Sequence, residues 1–248
     1  DLSKLLGANF TMLGMDPNSF PKVAWFREDF SRVPMVNLLS NLKLEKPLEG
    51  ITLPTDSSTL RVRLKADRPH PSVRVTVRMK NNRDRYSTYT LGQLDSMDWI
   101  EFDTDLRTGG RSYVAASLPL TLVSLKLEET NPERRLQAGS IIIDEISVNN
   151  WAGQTIILED FEDSSDWSVL KVSSDAVADI LQESGVRFEE DSGSALFSWG
   201  SGRALSPRGI FYGDKRYPLP AIASESFARY SGHAKGDEFD VNVGGYRV

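Results

Sequence analysis

From about residue 50 the chain alternates. Leu60, Val62 and Leu64 are separated by Arg61, Arg63 and Lys65, and Val73, Val75, Val77 and Met79 by Arg74, Thr76, Arg78 and Lys80. A period of two sends successive side chains to opposite faces, so these stretches predict half-buried antiparallel strands. Asp67-Arg68-Pro69-His70-Pro71 and Asn81-Asn82-Arg83-Asp84 supply turns between them. Further strands are predicted over 87–91, 99–103, 120–128, 140–148, 155–161 and 195–199. Short strands at this spacing, with no helical pattern between those up to 148, predict an antiparallel β-sandwich or jelly roll.

The ends read differently. Asp16-Pro17 is a helix-start signal that Phe20-Pro21 interrupts. Pro34 opens a helix with Met35, Leu38, Leu39 and Leu42 on one face. Later, Ser174 is placed to cap a short helix with Val177, Ile180 and Leu181 inward and Gly185 past its end. Ser224 is placed to cap another, Glu225–Tyr230, ended by Gly232. Phe239, Val241 and Val243 alternate with polar residues up to Gly244-Gly245, a hairpin signal. Phe20, Val23, Trp25, Phe26 and Phe30 crowd a segment too short to bury them within itself. Residues ~1–42 are therefore expected to pack against ~205–248, with the strand-rich part as an insertion between them.

Composition narrows the function classes. The chain has 248 residues, no cysteine and a net charge of -6. Disulfides, thiolate catalysis and cysteine-ligated zinc are excluded, and a nucleic-acid partner is not expected. The densest basic stretch holds Arg74, Arg78, Lys80, Arg83 and Arg85, read as a solvated sheet face in preference to a polyanion site. The chain has no apolar run long enough to span a bilayer. It opens abruptly at Asp1 and stops just after the Gly-Gly turn, so it is expected to be a segment of a larger protein.

No catalytic motif emerges. His70 and His233 are the two histidines, neither in a metal-binding or triad context. Nucleotide-binding loops and a nucleophile elbow are also missing. The chain is therefore expected not to be an enzyme, and no hydrolase activity is predicted. Among the acidic residues, Glu159, Asp160, Glu162, Asp163 and Asp166 cluster, and Asp144 shares a predicted strand face with Ile142, Ile146 and Val148. A carboxylate on an apolar face is costly to bury without a partner. A hydrogen-bonded structural role, a calcium ligand and half of a catalytic pair all remain open for it. Trp99 and Trp199 are read as core residues, whereas Tyr86 and Tyr89 are candidate exposed rings for a ligand.

Two resemblances carry the functional expectation. Leu60–Ala66, Leu91-Gly92-Gln93-Leu94 with Asp98-Trp99-Ile100, Pro119–Leu125 and Gly139–Val148 resemble a galactose-binding-like jelly roll of the carbohydrate-binding-module type. Glu159–Asp163 with Trp167 is similar to the opening strand of such a module. In the flanks, Leu13–Arg27, Leu219–Phe227 and Gly236-Asp237 through Gly245 resemble the extracytoplasmic region of FtsX/MacB-type ABC transporter permeases. Together these imply a jelly roll over 43–165 inserted into an α+β permease portion made of 1–42 and 166–248. They also imply a location on the extracytoplasmic side of the cell membrane, within a membrane-embedded parent that a cytoplasmic ATPase drives. Such a domain would bind a substrate, glycan or envelope protein. Adjacent opening and closing strands would gather Asp144, Glu159, Asp160 and Glu162 about a structural calcium; no other cofactor is expected. The alternatives are a secreted carbohydrate-binding module attached to a glycoside hydrolase, and a free-standing glycosidase.

Overall fold

The structure is a computed structural model that describes residues 11–25, 27–42, 50–83, 85–107, 118–171, 174–188, 193–204, 206–213, 219–237, 242–243 and 246–247. The alternating stretches form strands, and the strands form two antiparallel sheets. One runs in the order β10 (Trp167–Val169), β14 (Arg208–Tyr212), β6 (Leu120–Glu129), β3 (His70–Asn81) and β4 (Tyr86–Leu94), with β1 (Ile51–Thr52) also on β6. The other runs β11 (Ile180–Glu183), β12 (Ala195–Trp199), β8 (Gly139–Asn150), β2 (Ser57–Ala66) and β5 (Trp99–Asp105), with β9 (Thr155–Glu159) also on β8. A two-residue pair, β7 (Arg135–Leu136) and β13 (Gly202–Arg203), stands apart. The inward residues of both sheets make one continuous core; Val62, Val75, Leu125, Ile143, Phe197 and Ile210 all lie within it. The mostly β, antiparallel sandwich expected from the alternation is the architecture observed.

Two compact units divide the chain. Leu48–Lys215 with Asp240–Val248 make the larger, and Asp1–Pro47 with Arg216–Phe239 the smaller. The expected sandwich boundary at 165 is therefore too early. The strands over 167–212 hydrogen-bond into the sheets: β10 on β14, β14 on β6, and β11 on β12 beside β8. The helix expected after Ser174 is a 3₁₀ segment, Ser174–Ala178, followed by a strand, and Val177 and Ile180 are exposed rather than inward. Pairing with β12 outweighs a spacing that suits a helix equally well.

In the smaller unit a 3₁₀ turn over Glu28–Phe30 and three α-helices are described: α1 (Phe20–Val23), α2 (Met35–Ser40) and α3 (Glu225–Ser231). The last has the ends its sequence announces. Ser224 Oγ accepts from the Phe227 N–H, and Gly232 adopts the left-handed conformation at φ 76°. The apolar side chains of this unit do not form the buried core expected of them. Trp25 is 82% and Val23 85% exposed, and Leu39 is the only buried residue among those described. Phe26, Phe239 and the Gly244-Gly245 turn lie outside the described residues, but β15 (Asn242–Val243) and β16 (Tyr246–Arg247) do pair as the ends of that hairpin. No helix among the described residues is long and apolar enough to cross a membrane.

Candidate ligand-binding cleft

At one end of the sandwich an open cleft of about 460 Å³ is lined by Ser58, Thr59, Arg107, Asn149, Asn150, Trp151 and Gly153. The β8–β9 turn builds its wall. Asn150 Oδ1 accepts from the N–H groups of Ala152 (3.0 Å) and Gln154 (2.9 Å), and its amide donates to Gln154 Oε1 at 3.0 Å. Gly153, at φ 78°, closes the turn where a side chain would be strained. The Trp151 N–H donates to the Asp56 carbonyl at 3.1 Å, which fixes the turn while its indole stays 70% exposed. Across the cleft Arg107 is oriented by Asp105, with Nε 2.9 Å and Nη2 2.6 Å from its carboxylate. These hydrogen bonds from Arg107 hold the Asp105 carboxyl below the usual carboxylate range. An exposed indole beside a guanidinium and side-chain amides suits a hydroxyl-rich ligand, one face stacked and its edges hydrogen-bonded.

The carboxylates singled out in the sequence do other work. β8 carries a bulge here: Arg63 pairs with Glu145 and Leu64 with Ile143, which leaves Asp144 as the extra residue. The bulge reverses the alternation, so Asp144 does not share the inward face of Ile146 and Val148 but meets Arg63. Its carboxylate, fully buried, accepts from Arg63 Nη1 and from the Phe188 N–H, both at 3.1 Å. Arg63 also bonds Glu101 at 2.9 Å and lies 4.2 Å from the centre of the Phe188 ring. Glu159 accepts from the Phe161 N–H (2.9 Å) and from Trp167 Nε1 (2.8 Å). Asp160 accepts from the Glu162 N–H, Asp163 from that of Ser165, and Asp166 from the Tyr212 hydroxyl. Glu159, Asp160, Asp163 and Asp166 thus serve as hydrogen-bond acceptors for backbone, indole and phenol donors. No group of three or more His, Asp or Glu side chains that could hold a metal occurs among the described residues. The four carboxylates of the calcium expectation, Asp144, Glu159, Asp160 and Glu162, do not form such a group, and arginine, indole and backbone N–H groups satisfy the first two.

The aromatic candidates separate as well. Tyr86 is 43% exposed, with Arg78 stacked 4.4 Å from its ring centre. Tyr89 is not exposed but buried in the core, and burial raises its hydroxyl above the usual tyrosine range. The two are three residues apart in one strand, so a period of two sends them to opposite faces. Trp199 is a core residue against His70 and Phe197, but Trp99 lies on the outer face opposite Lys65 and packs edge-on against Phe188. The cleft residue Trp151 carried no special signal in the sequence; its one cue is the Asn-Asn-Trp-Ala-Gly turn composition. No family model, curated protein or solved structure matches the chain.

Proposed function

We propose that this chain is a non-catalytic extracytoplasmic domain of an FtsX/MacB-type ABC transporter permease, in which an inserted galactose-binding-like jelly roll binds a glycan or envelope partner at the Trp151 cleft. The reading rests above all on one observation. Residues 1–47 and 216–239 form one compact unit, and the bulk of the sandwich unit, 48–215, is a continuous segment between them, joined by the terminal residues 240–248. An insertion into a host domain has this organisation. That unit also leaves Val23, Trp25, Phe30 and Tyr230 exposed, side chains available for contact with another body. The cleft favours binding over turnover, because no carboxylate or histidine is among the residues lining it. In the parent, ligand engagement outside the membrane is coupled to a cytoplasmic ATPase through the membrane helices, and the chain itself supplies no reacting group.

The test uses the full-length parent protein in membranes. Tags placed in the sandwich should be reached by protease from outside the cell only, and an ABC ATPase subunit should co-purify with the parent. Recovery of the parent as a secreted protein fused to a glycoside hydrolase, with no membrane-spanning segment, would overturn the permease reading in favour of a secreted carbohydrate-binding module.

A further inference from the structure

The outer face of the sheet containing β3 is strongly basic in a chain whose net charge is -6. Arg74, Arg78 and Lys80 point outward from β3, and Arg83 and Arg85 continue the series into the β3–β4 turn. The fold adds a cation from a distant part of the sequence. Lys126 on β6 lies opposite Thr76 and therefore diagonal to Arg78, which is itself opposite Ser124. Diagonal neighbours in a sheet are about 7–8 Å apart, close enough for one anionic group to meet both. Arg74 is paired with Glu128, at 3.2 Å. Arg78 and Lys126 make no ion pair among the described residues. Glu128, two residues along β6 from Lys126, is the acidic neighbour that offsets part of its charge, and the other outward side chains beside them, Thr88 and Thr90 on β4 and Phe211 on β14, are uncharged.

This arrangement is not one that stability alone would select. Two like charges sit side by side, and Thr76 and Ser124 beneath them are buried with hydroxyl oxygens that have no hydrogen-bond partner. Burial and the charge of Arg78 push the Lys126 ammonium below the usual lysine range. Arg78 is also held in place, by its stacking on Tyr86. From Arg74 to Lys80 the stripe spans about 20 Å at roughly 3.3 Å per residue, which fits an extended chain better than a single ion.

We propose that this face binds an acidic polysaccharide, with Arg78 and Lys126 as the central contacts and Arg74, Lys80, Arg83 and Arg85 as flanking ones. The hydroxyls of half-buried Thr88 and exposed Thr90 complement sugar hydroxyls between the charges. A single-stranded nucleic acid would need a run of open aromatic faces for its bases, whereas this face offers one exposed ring, Tyr86, with Arg78 stacked against it. A membrane surface would need apolar side chains to insert, and Tyr86 is the only large exposed one on β3, β4, β6 and β14. The inference is independent of the permease reading and of the Trp151 cleft.

The experiment measures binding of the 248-residue chain to polygalacturonate and to heparin, with neutral dextran, a single-stranded oligodeoxynucleotide and phosphatidylglycerol vesicles alongside. Binding to at least one acidic polysaccharide, absent for dextran, should fall steeply as salt rises from about 50 to about 500 mM. R78Q/K126Q should weaken it about tenfold at low salt, and K126R should keep most of it. E128Q, which releases Arg74, should strengthen it, so the idea stays testable even if the double variant folds poorly. Failure to bind either acidic polysaccharide, equal binding by R78Q/K126Q, or tighter binding of the oligonucleotide or the vesicles would overturn it. W151A should leave this binding unchanged, which separates its fate from that of the cleft.

Discussion

The sandwich and the smaller unit are made from similarly apolar stretches of sequence, yet only one of them buries its apolar residues. In the sandwich, each strand is tied to partners far away in the chain: β2 pairs with β8 across some eighty residues, and β3 with β6 across about fifty. In the smaller unit the contacts described run between near neighbours, such as Arg27 with Asp29, Ser224 with Phe227 and Arg229 with Glu225. Helices of four, six and seven residues cannot be stable on local bonds alone, because nucleation costs more than so few bonds return. The comparison teaches that apolar content does not make a core. What makes one is long-range pairing that removes the same side chains from water together.

The difference should be largest for charges. Arg208 and Asp179 are an ion pair with both side chains fully buried, and Asp179 Oδ1 also accepts from the Gly200 N–H at 3.1 Å. Nε and Nη2 of Arg208 have no hydrogen-bond partner, so among the described residues Asp179 is the group that offsets that buried charge. D179A should destabilise the sandwich by ~3–5 kcal/mol, read as a shift in the urea midpoint. D29A, which breaks the exposed Arg27–Asp29 pair of the smaller unit, should be indistinguishable from the parent chain. Equal effects would dissolve the contrast. A step down, L125A in the sandwich core should cost ~2–5 kcal/mol in the same measurement. L39A removes the only buried residue described in the smaller unit and should leave the main transition where it is, because the cooperative core lies elsewhere.

The same contrast governs what could be read from the sequence. β2, β3, β6 and β8 were legible because one sheet face is buried and the other wet, which writes a period of two into the residues. β10 is too short to show a period, and β14 opens with a buried arginine and a glycine, Gly209, whose added Cβ would lie 2.1 Å from the Leu125 carbonyl oxygen. β11 carries Ile180 and Leu181 at a spacing from Val177 that fits a helix, and only its pairing with β12 decides otherwise. Asp144 was recognisable as unusual, but its partner Arg63 lies 81 residues away and the bulge that turns it outward has no local signature. The cleft was illegible for a related reason. Its lining comes from the ends of β2 and β8 and from beyond β5, and the sheet brings these together only once it is paired.

A smaller effect tests whether the sandwich core tolerates polar atoms. The Tyr89 hydroxyl is buried without a hydrogen-bond partner, although its ring packs in the core. Y89F removes the orphaned group and keeps the ring, so it should be neutral or stabilising by up to ~1 kcal/mol. A loss of stability on denaturant titration would mean that the hydroxyl is satisfied in solution, with water the natural partner.

The smallest expected change concerns Lys126, and its sign follows from linkage. Burial, and then the charge of Arg78, lower its proton affinity in the folded chain, while the unfolded chain keeps an ordinary lysine near 10.4. The unfolded state therefore binds more protons over the interval from the lowered folded value up to ~10.4, so Lys126 makes stability rise with pH across that window. Below it, at neutral pH, the charged side chain is a standing cost to the fold. K126M keeps the stem and removes the charge. It should stabilise the sandwich by ~0.5–1 kcal/mol at pH 7 and flatten the alkaline rise. The measurement is the urea midpoint at a series of pH values from neutral to about 10.5 for both chains. If the same substitution also lowers binding to polygalacturonate or heparin, stability and ligand binding oppose one another at a single side chain. A sandwich selected only to be stable would have no reason to keep a lysine there. If K126M is less stable than the parent at neutral pH, or the two curves stay parallel, the ammonium is already satisfied and the strain attributed to this face does not exist.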